Sequence, residues 1–85
     1  MTWGFLIASR AKRQLRRLSR EERDSINSVF EEMCADPYVG DIKFVKGTSR
    51  ALRRRAGTWR IVYEVDAKRR IIAVLGVERR SSNTY

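Results

Sequence analysis

Eighty-five residues make one domain, residues 1–85, whose core alone gives modest stability, so a layer of helix laid on a sheet is the economical architecture. The net charge of +9, from 19 basic and 10 acidic side chains, points to nucleic acid, an anionic membrane or an acidic protein as partner. A single cysteine, Cys34, excludes an internal disulfide, and the lack of any histidine excludes a zinc site and a Cys–His or Ser–His catalytic pair.

Trp3, Phe5 and Ile7 alternate with Gly4, Leu6 and Ala8, which predicts a short strand over residues 2–8. That run is too short for a membrane span and no basic segment precedes it. Neither a transmembrane helix nor a signal peptide is read, and the protein is expected in the cytoplasm. Ser9 suits the N-cap of a helix whose narrow apolar stripe is Ala11, Leu15 and Leu18. Arg10, Lys12, Arg13, Arg16 and Arg17 fill its outer surface, either as a solvated face or as a contact for the phosphates of ribosomal RNA. Ser19-Arg20-Glu21-Glu22 is a capping box that starts a second helix, with Ile26, Val29, Phe30 and Met33 on its buried face. Asp36-Pro37 stops it. Cys34 reads as a small helix residue near the core.

After Pro37 the apolar period becomes two, and strands are predicted over residues 42–46, 51–56, 59–66 and 70–78. Gly40, Gly47 and Gly57 mark bends, and Asp66-Ala67-Lys68 turns the chain into the last strand. The predicted fold class is α+β: an antiparallel-rich sheet with a two-helix hairpin packed on one face, in the order β-α-α-β-β-β-β.

Residues 50–60, RALRRRAGTWR, carry five arginines and no acid. Gly57-Thr58 is a two-residue turn of the Gly-X kind, which closes a tight hairpin because glycine takes the positive φ of the first turn position. Counting outward pairs Ala56 with Trp59, Arg55 with Arg60, Arg54 with Ile61, Arg53 with Val62 and Leu52 with Tyr63. Like charges facing across a sheet cost roughly 0.2–1 kcal/mol, and a phosphate between Arg55 and Arg60 would turn that repulsion into charge-assisted hydrogen bonds. Alternation directs Leu52, Ala56, Trp59, Ile61, Tyr63 and Val65 to the helices and leaves Arg53, Arg55, Arg60, Val62 and Glu64 on an open, cationic face. Trp59 and Tyr63 therefore read as core side chains rather than as platforms for bases.

Arginine stays protonated at any working pH, so its role in chemistry is electrostatic. A fork of fixed donors aimed at a phosphate stabilises the charge of a phosphoryl transition state. Proton transfer needs another group, and the candidates are Tyr85, Lys43, Lys46, Asp41, Glu64 and Glu78. Tyr85 is favoured, because Arg79, Arg80 and Arg60 around it would ease its deprotonation.

Taken in order, these segments resemble the RelE/ParE toxin superfamily of bacterial toxin–antitoxin modules over nearly the whole chain. The motifs are SRAKRQLRRL at residues 9–18, ADPYVGDIKFVKG at 35–47, LRRRAGTWRIVYEVD at 52–66, IIAVLGVERR at 71–80, and Tyr85. The resemblance implies a compact sheet with two helices on one face. For the RelE-like branch it also implies a ribosome-dependent endoribonuclease that cuts mRNA without a metal, the 2′-hydroxyl attacking the adjacent phosphate while the protein supplies charge and shuttles protons. Carried over by position, it implies catalytic roles for Arg60, Arg80 and Tyr85, and RNA or phosphate binding by Lys46, Arg53 and Arg55. Arg79, where relatives often carry histidine, is expected to bind phosphate rather than move protons. Arg54 falls where an apolar, helix-facing residue is expected, so either its stem snorkels past Ile61 or a bulge shifts the strand and brings Arg54 to the open face in place of Arg53 or Arg55. No cofactor is expected. The implied partners are a cognate acidic antitoxin and mRNA on the ribosome, with ribosomal RNA. The alternative is the ParE-like branch, which shares the fold and inhibits DNA gyrase by binding.

Overall fold

Seven elements follow one another in the predicted order: β1 (Gly4–Ile7), α1 (Ser9–Arg16), α2 (Arg20–Ala35), β2 (Ile42–Phe44), β3 (Leu52–Ala56), β4 (Trp59–Asp66) and β5 (Ile71–Arg79). The structure is a computed structural model and describes residues 2–45, 47 and 50–79. The strands form one sheet in the order β1-β5-β4-β3-β2, antiparallel except for the parallel pair β1–β5. The two helices carry the chain from one edge strand to the other, which leaves the opposite face of the sheet open.

The helix starts follow from local chemistry. The capping box forms in full, the Ser19 hydroxyl accepting from the Glu22 N–H and the Glu22 carboxylate accepting from the Ser19 N–H. At α1 the expected cap is displaced by one residue. Ala8 is the N-cap, with no side-chain hydrogen bond, and Ser9 is already helical because β1 runs directly into the helix. Ala11, Leu18, Ile26 and Met33 face Leu52, Trp59, Ile61, Tyr63, Ile72, Val74 and Val77 of the sheet in one core. Each fully covered aliphatic side chain there contributes roughly 1.5–3 kcal/mol. Among the described residues no helix is long and apolar enough to cross a membrane.

The β3–β4 hairpin has the predicted register at every pair, from Ala56↔Trp59 to Leu52↔Tyr63, around Gly57 at φ +62°. The two outcomes left open for Arg54 are thereby decided. The strand is not shifted, and Arg54 lies on the helix side, 7% exposed, where its Nη2 pairs with Glu32 of α2 and its Nη1 donates to the Val39 carbonyl at 3.2 Å. Tyr63 donates to the Pro37 carbonyl at 2.7 Å. These contacts tie down the α2–β2 connection. Gly40, at φ +104°, lies so close to the Arg54 guanidinium that a Cβ there would approach its Cζ to 2.7 Å, so both the backbone angle and the space require glycine.

A bulge sits in β5 instead. Val62 pairs with Gly76 and Tyr63 with Val74, leaving Leu75 without a partner in β4. Before it, Ile72 and Val74 point to the helices; after it, Val77 and Arg79 do, and Glu78 shares the open face with Arg60. Past Val74, β5 has no β1 neighbour. The side chain of Gln14 fills in, its Oε1 accepting the Val77 N–H at 2.7 Å.

Candidate functional site

Two rows of side chains cross the open face. Lys43 of β2 pairs with Arg53 of β3, which pairs with Val62 of β4. One step along, Arg55 pairs with Arg60, and Arg60 with Glu78 of β5. Asp41 completes this second row at the β2 end, its carbonyl accepting the Arg55 N–H at 2.9 Å. Asp41, Lys43, Arg53, Arg55 and Arg60 line a cleft of about 40 Å³, little more than the roughly 30 Å³ share of one water. A phosphate would therefore rest at its mouth, within reach of several guanidinium forks.

The arginine run has no acid of its own, but the sheet brings acids to it. The second row reads acid, arginine, arginine, acid. Asp41 Oδ2 lies 3.8 Å from Arg55 Nη1, and the Glu78 carboxylate faces Arg60 across β4–β5 but pairs at 3.0 Å with Arg10 of α1. From the sequence, Asp41 and Glu78 stand out only as candidates for proton transfer. Their place in the row comes from strand pairing outside the hairpin.

Of the residues singled out in the sequence, Arg53, Arg55 and Arg60 come together. Arg79 does not join them. The β5 bulge puts it on the helix side, where its guanidinium lies 4.6 Å from the Trp59 ring centroid and pairs with Glu22 at 2.7 Å. The backbone N–H of Ser19 and the Arg79 guanidinium hold the Glu22 carboxyl below the usual carboxylate range. Lys46, Arg80 and Tyr85 lie outside the described residues. Glu64 belongs to a separate groove of about 740 Å³, also lined by Leu6, Phe44, Leu52 and Ile71. Lys43 borders both, and Leu6 and Phe44 are exposed to 65% and 72%. Tyr63 is a core group: burial, opposed by the Arg54 charge, pushes its phenol up to about 12. Among the described residues no three of the Cys, Asp and Glu side chains gather as a metal-ion site.

A cluster of cationic forks on an open sheet face can hold a phosphodiester and stabilise added charge on it. Comparison with known proteins bears on this arrangement. The model of the family described as ParE toxin of type II toxin-antitoxin system, parDE, matches residues 5–84. The toxin–antitoxin complex RelBE2 from Mycobacterium tuberculosis is similar in fold, at TM-score 0.83 and 20% identity over 94% of this chain and 100% of that one. The archaeal RelE–RelB complex from Pyrococcus horikoshii is similar at TM-score 0.80 and 22% identity, over 96% and 99% of the two chains. The isolated RelE toxin of E. coli gives TM-score 0.80 and 17% identity, over 96% and 88%. No curated protein sequence matches.

Proposed function

The chain belongs to the family of ParE toxins of type II toxin–antitoxin systems, within the RelE/ParE superfamily, and we propose from that premise that it poisons translation by cutting mRNA on the ribosome. The observation that carries this reading is the convergence of Arg53, Arg55 and Arg60 on one cleft of the open face. In the proposed reaction the 2′-oxygen attacks the adjacent phosphorus and the 5′-oxygen leaves. The phosphoryl oxygens gain charge in the transition state, and guanidinium donors already fixed on a sheet answer it without reorganising. Arg80 and Tyr85, carried over from the superfamily pattern, would complete the site with a further donor and a proton carrier.

The cleft is shallow and does little to position a flexible RNA, so the ribosome is the natural holder of the substrate. The protein would act in the cytoplasm, and a cognate antitoxin with an acidic segment would keep a chain of net charge +9 inactive until needed. Primer extension on ribosome-bound message is expected to show cuts at codon-spaced positions, with naked RNA cut poorly. The matched family is described as ParE toxins, and the ParE-like branch that the sequence resembles implies a second reading, inhibition of DNA gyrase by binding. Intact message together with trapped gyrase–DNA complexes would establish that reading and reject the first.

A further inference from the structure

Of the proton-carrier candidates that fall among the described residues, only Asp41 and Lys43 line the cleft. Glu78 is engaged by Arg10, and Glu64 lies in the separate groove. Among the described residues Asp41 is the only carboxylate lining the cleft, and its place does not depend on its charge. Its backbone is fixed by the Arg55 N–H, while Arg54 holds the preceding Val39 carbonyl and Gly40 fits under the same guanidinium. The carboxylate stands 3.8 Å from Arg55, 55% exposed, too far for a hydrogen bond.

We propose that Asp41 is the general base of the ribonuclease reaction. The inference rests on the ribonuclease reading given above. Asp41 takes the proton from the 2′-hydroxyl as the 2′-oxygen forms its bond to phosphorus. The bond from phosphorus to the 5′-oxygen breaks, and that oxygen takes a proton from solvent or from Tyr85. The products are a 2′,3′-cyclic phosphate and a 5′-hydroxyl, with charge and protons balanced. The surroundings favour this order of events. Among the described residues, Arg55, Arg53 and Arg60 of β3 and β4 and Lys43 of β2 are the charged groups lining the cleft with Asp41. An arriving phosphate competes for the Arg55 fork, which frees the carboxylate and sets a second negative charge beside it.

The competing role for Asp41 is that of a resident anion that partly neutralises Arg55 and must yield to the substrate. Single-turnover cleavage of ribosome-bound message by the full chain separates the two. Asp41→Asn keeps the size and the backbone hydrogen bond to Arg55. It is expected to lower the rate by about 10²–10⁴-fold, to abolish the acid limb of the pH–rate profile, and to leave ribosome binding unchanged. Asp41→Glu should recover part of the rate together with that limb. Cleavage by Asp41→Asn at or above the wild-type rate, with the limb intact, would overturn the proposal and leave the ribonuclease reading standing. A wild-type protein that leaves message whole on the ribosome would overturn both.

Discussion

Arg55 and Arg60 stand directly opposite each other on the open face of the β3–β4 hairpin, each with a carboxylate as its outer neighbour in the row. The pair is unfavourable for folding and useful for holding an anion. Arg60→Ala is expected to reduce cleavage by about 10²-fold or more, as for a donor directed at a transition state, with the circular dichroism spectrum unchanged. In Arg55→Ala, relief of the facing charge offsets loss of the loose Asp41 pair, each under about 1 kcal/mol, so the melting midpoint should stay near wild type or rise. Wild-type cleavage by Arg60→Ala would remove Arg60 from the site.

Tyr85→Phe tests the proton carrier that the superfamily pattern implies. Phenylalanine keeps the ring, so a fall of about 10²–10⁴ in rate with unchanged ribosome binding would assign the hydroxyl. Near-wild-type cleavage would exonerate it. Because Asp41 is assigned the proton-accepting step, the limb of the pH–rate profile lost in Tyr85→Phe should be the alkaline one, where an acid must still hold its proton.

The Arg54–Glu32 pair should be asymmetric under mutation. Glu32 is 61% exposed at its side chain and Arg54 8%, so Glu32→Ala leaves a buried guanidinium short of its partner and should cost about 3 kcal/mol. Arg54→Met removes the buried charge, including an Nε that finds no acceptor among the described residues, and gives up the bond to Val39, a loss of about 1 kcal/mol. Urea denaturation of both variants checks the order. A larger loss in Arg54→Met would mean that the clasp on the α2–β2 connection outweighs the burial of charge.

Alkaline stability should report Tyr63. Its phenol is raised from 10 to about 12, so the folded chain holds the proton more tightly than the unfolded one. The stability that this represents is complete below pH 10 and is lost as the pH rises toward 12. Tyr63→Phe loses the bond to Pro37, about 1 kcal/mol at neutral pH, but should decline less steeply through that window. Denaturation midpoints across the window check this, and parallel declines in both proteins would place the alkaline loss in other groups.

Period and turn chemistry carried most of the fold. The capping box, the Asp36-Pro37 stop and the Gly57-Thr58 turn are each local, so they could be read without knowing the partner strands, and the hairpin register followed from the turn alone. Helix and strand ends were less legible: the first strand is shorter than its apolar run, since Thr2 and Trp3 lie before the ladder and Ala8 caps α1. Arg79 was misplaced for a definite reason. A bulge leaves no mark in composition, and nothing in IIAVLGVERR shows that Leu75 has no partner. Likewise the acids beside Arg55 and Arg60 come from the residue just before β2 and from β5, and only the sheet brings such distant segments into one row.

Leu75 therefore acts on β5 as an inserted letter acts on a reading frame. Were Leu75 paired with Val62 rather than passed over, every later residue of β5 would change face, carrying Arg79 to the side of the sheet that holds Arg60 and turning Glu78 toward Trp59. Deleting Leu75 would instead close the bulge and leave Gly76 to Arg79 on their present partners in β4. Whether that one residue is passed over or paired decides which of two adjacent, opposite charges joins the arginine row and which ties the sheet to α2.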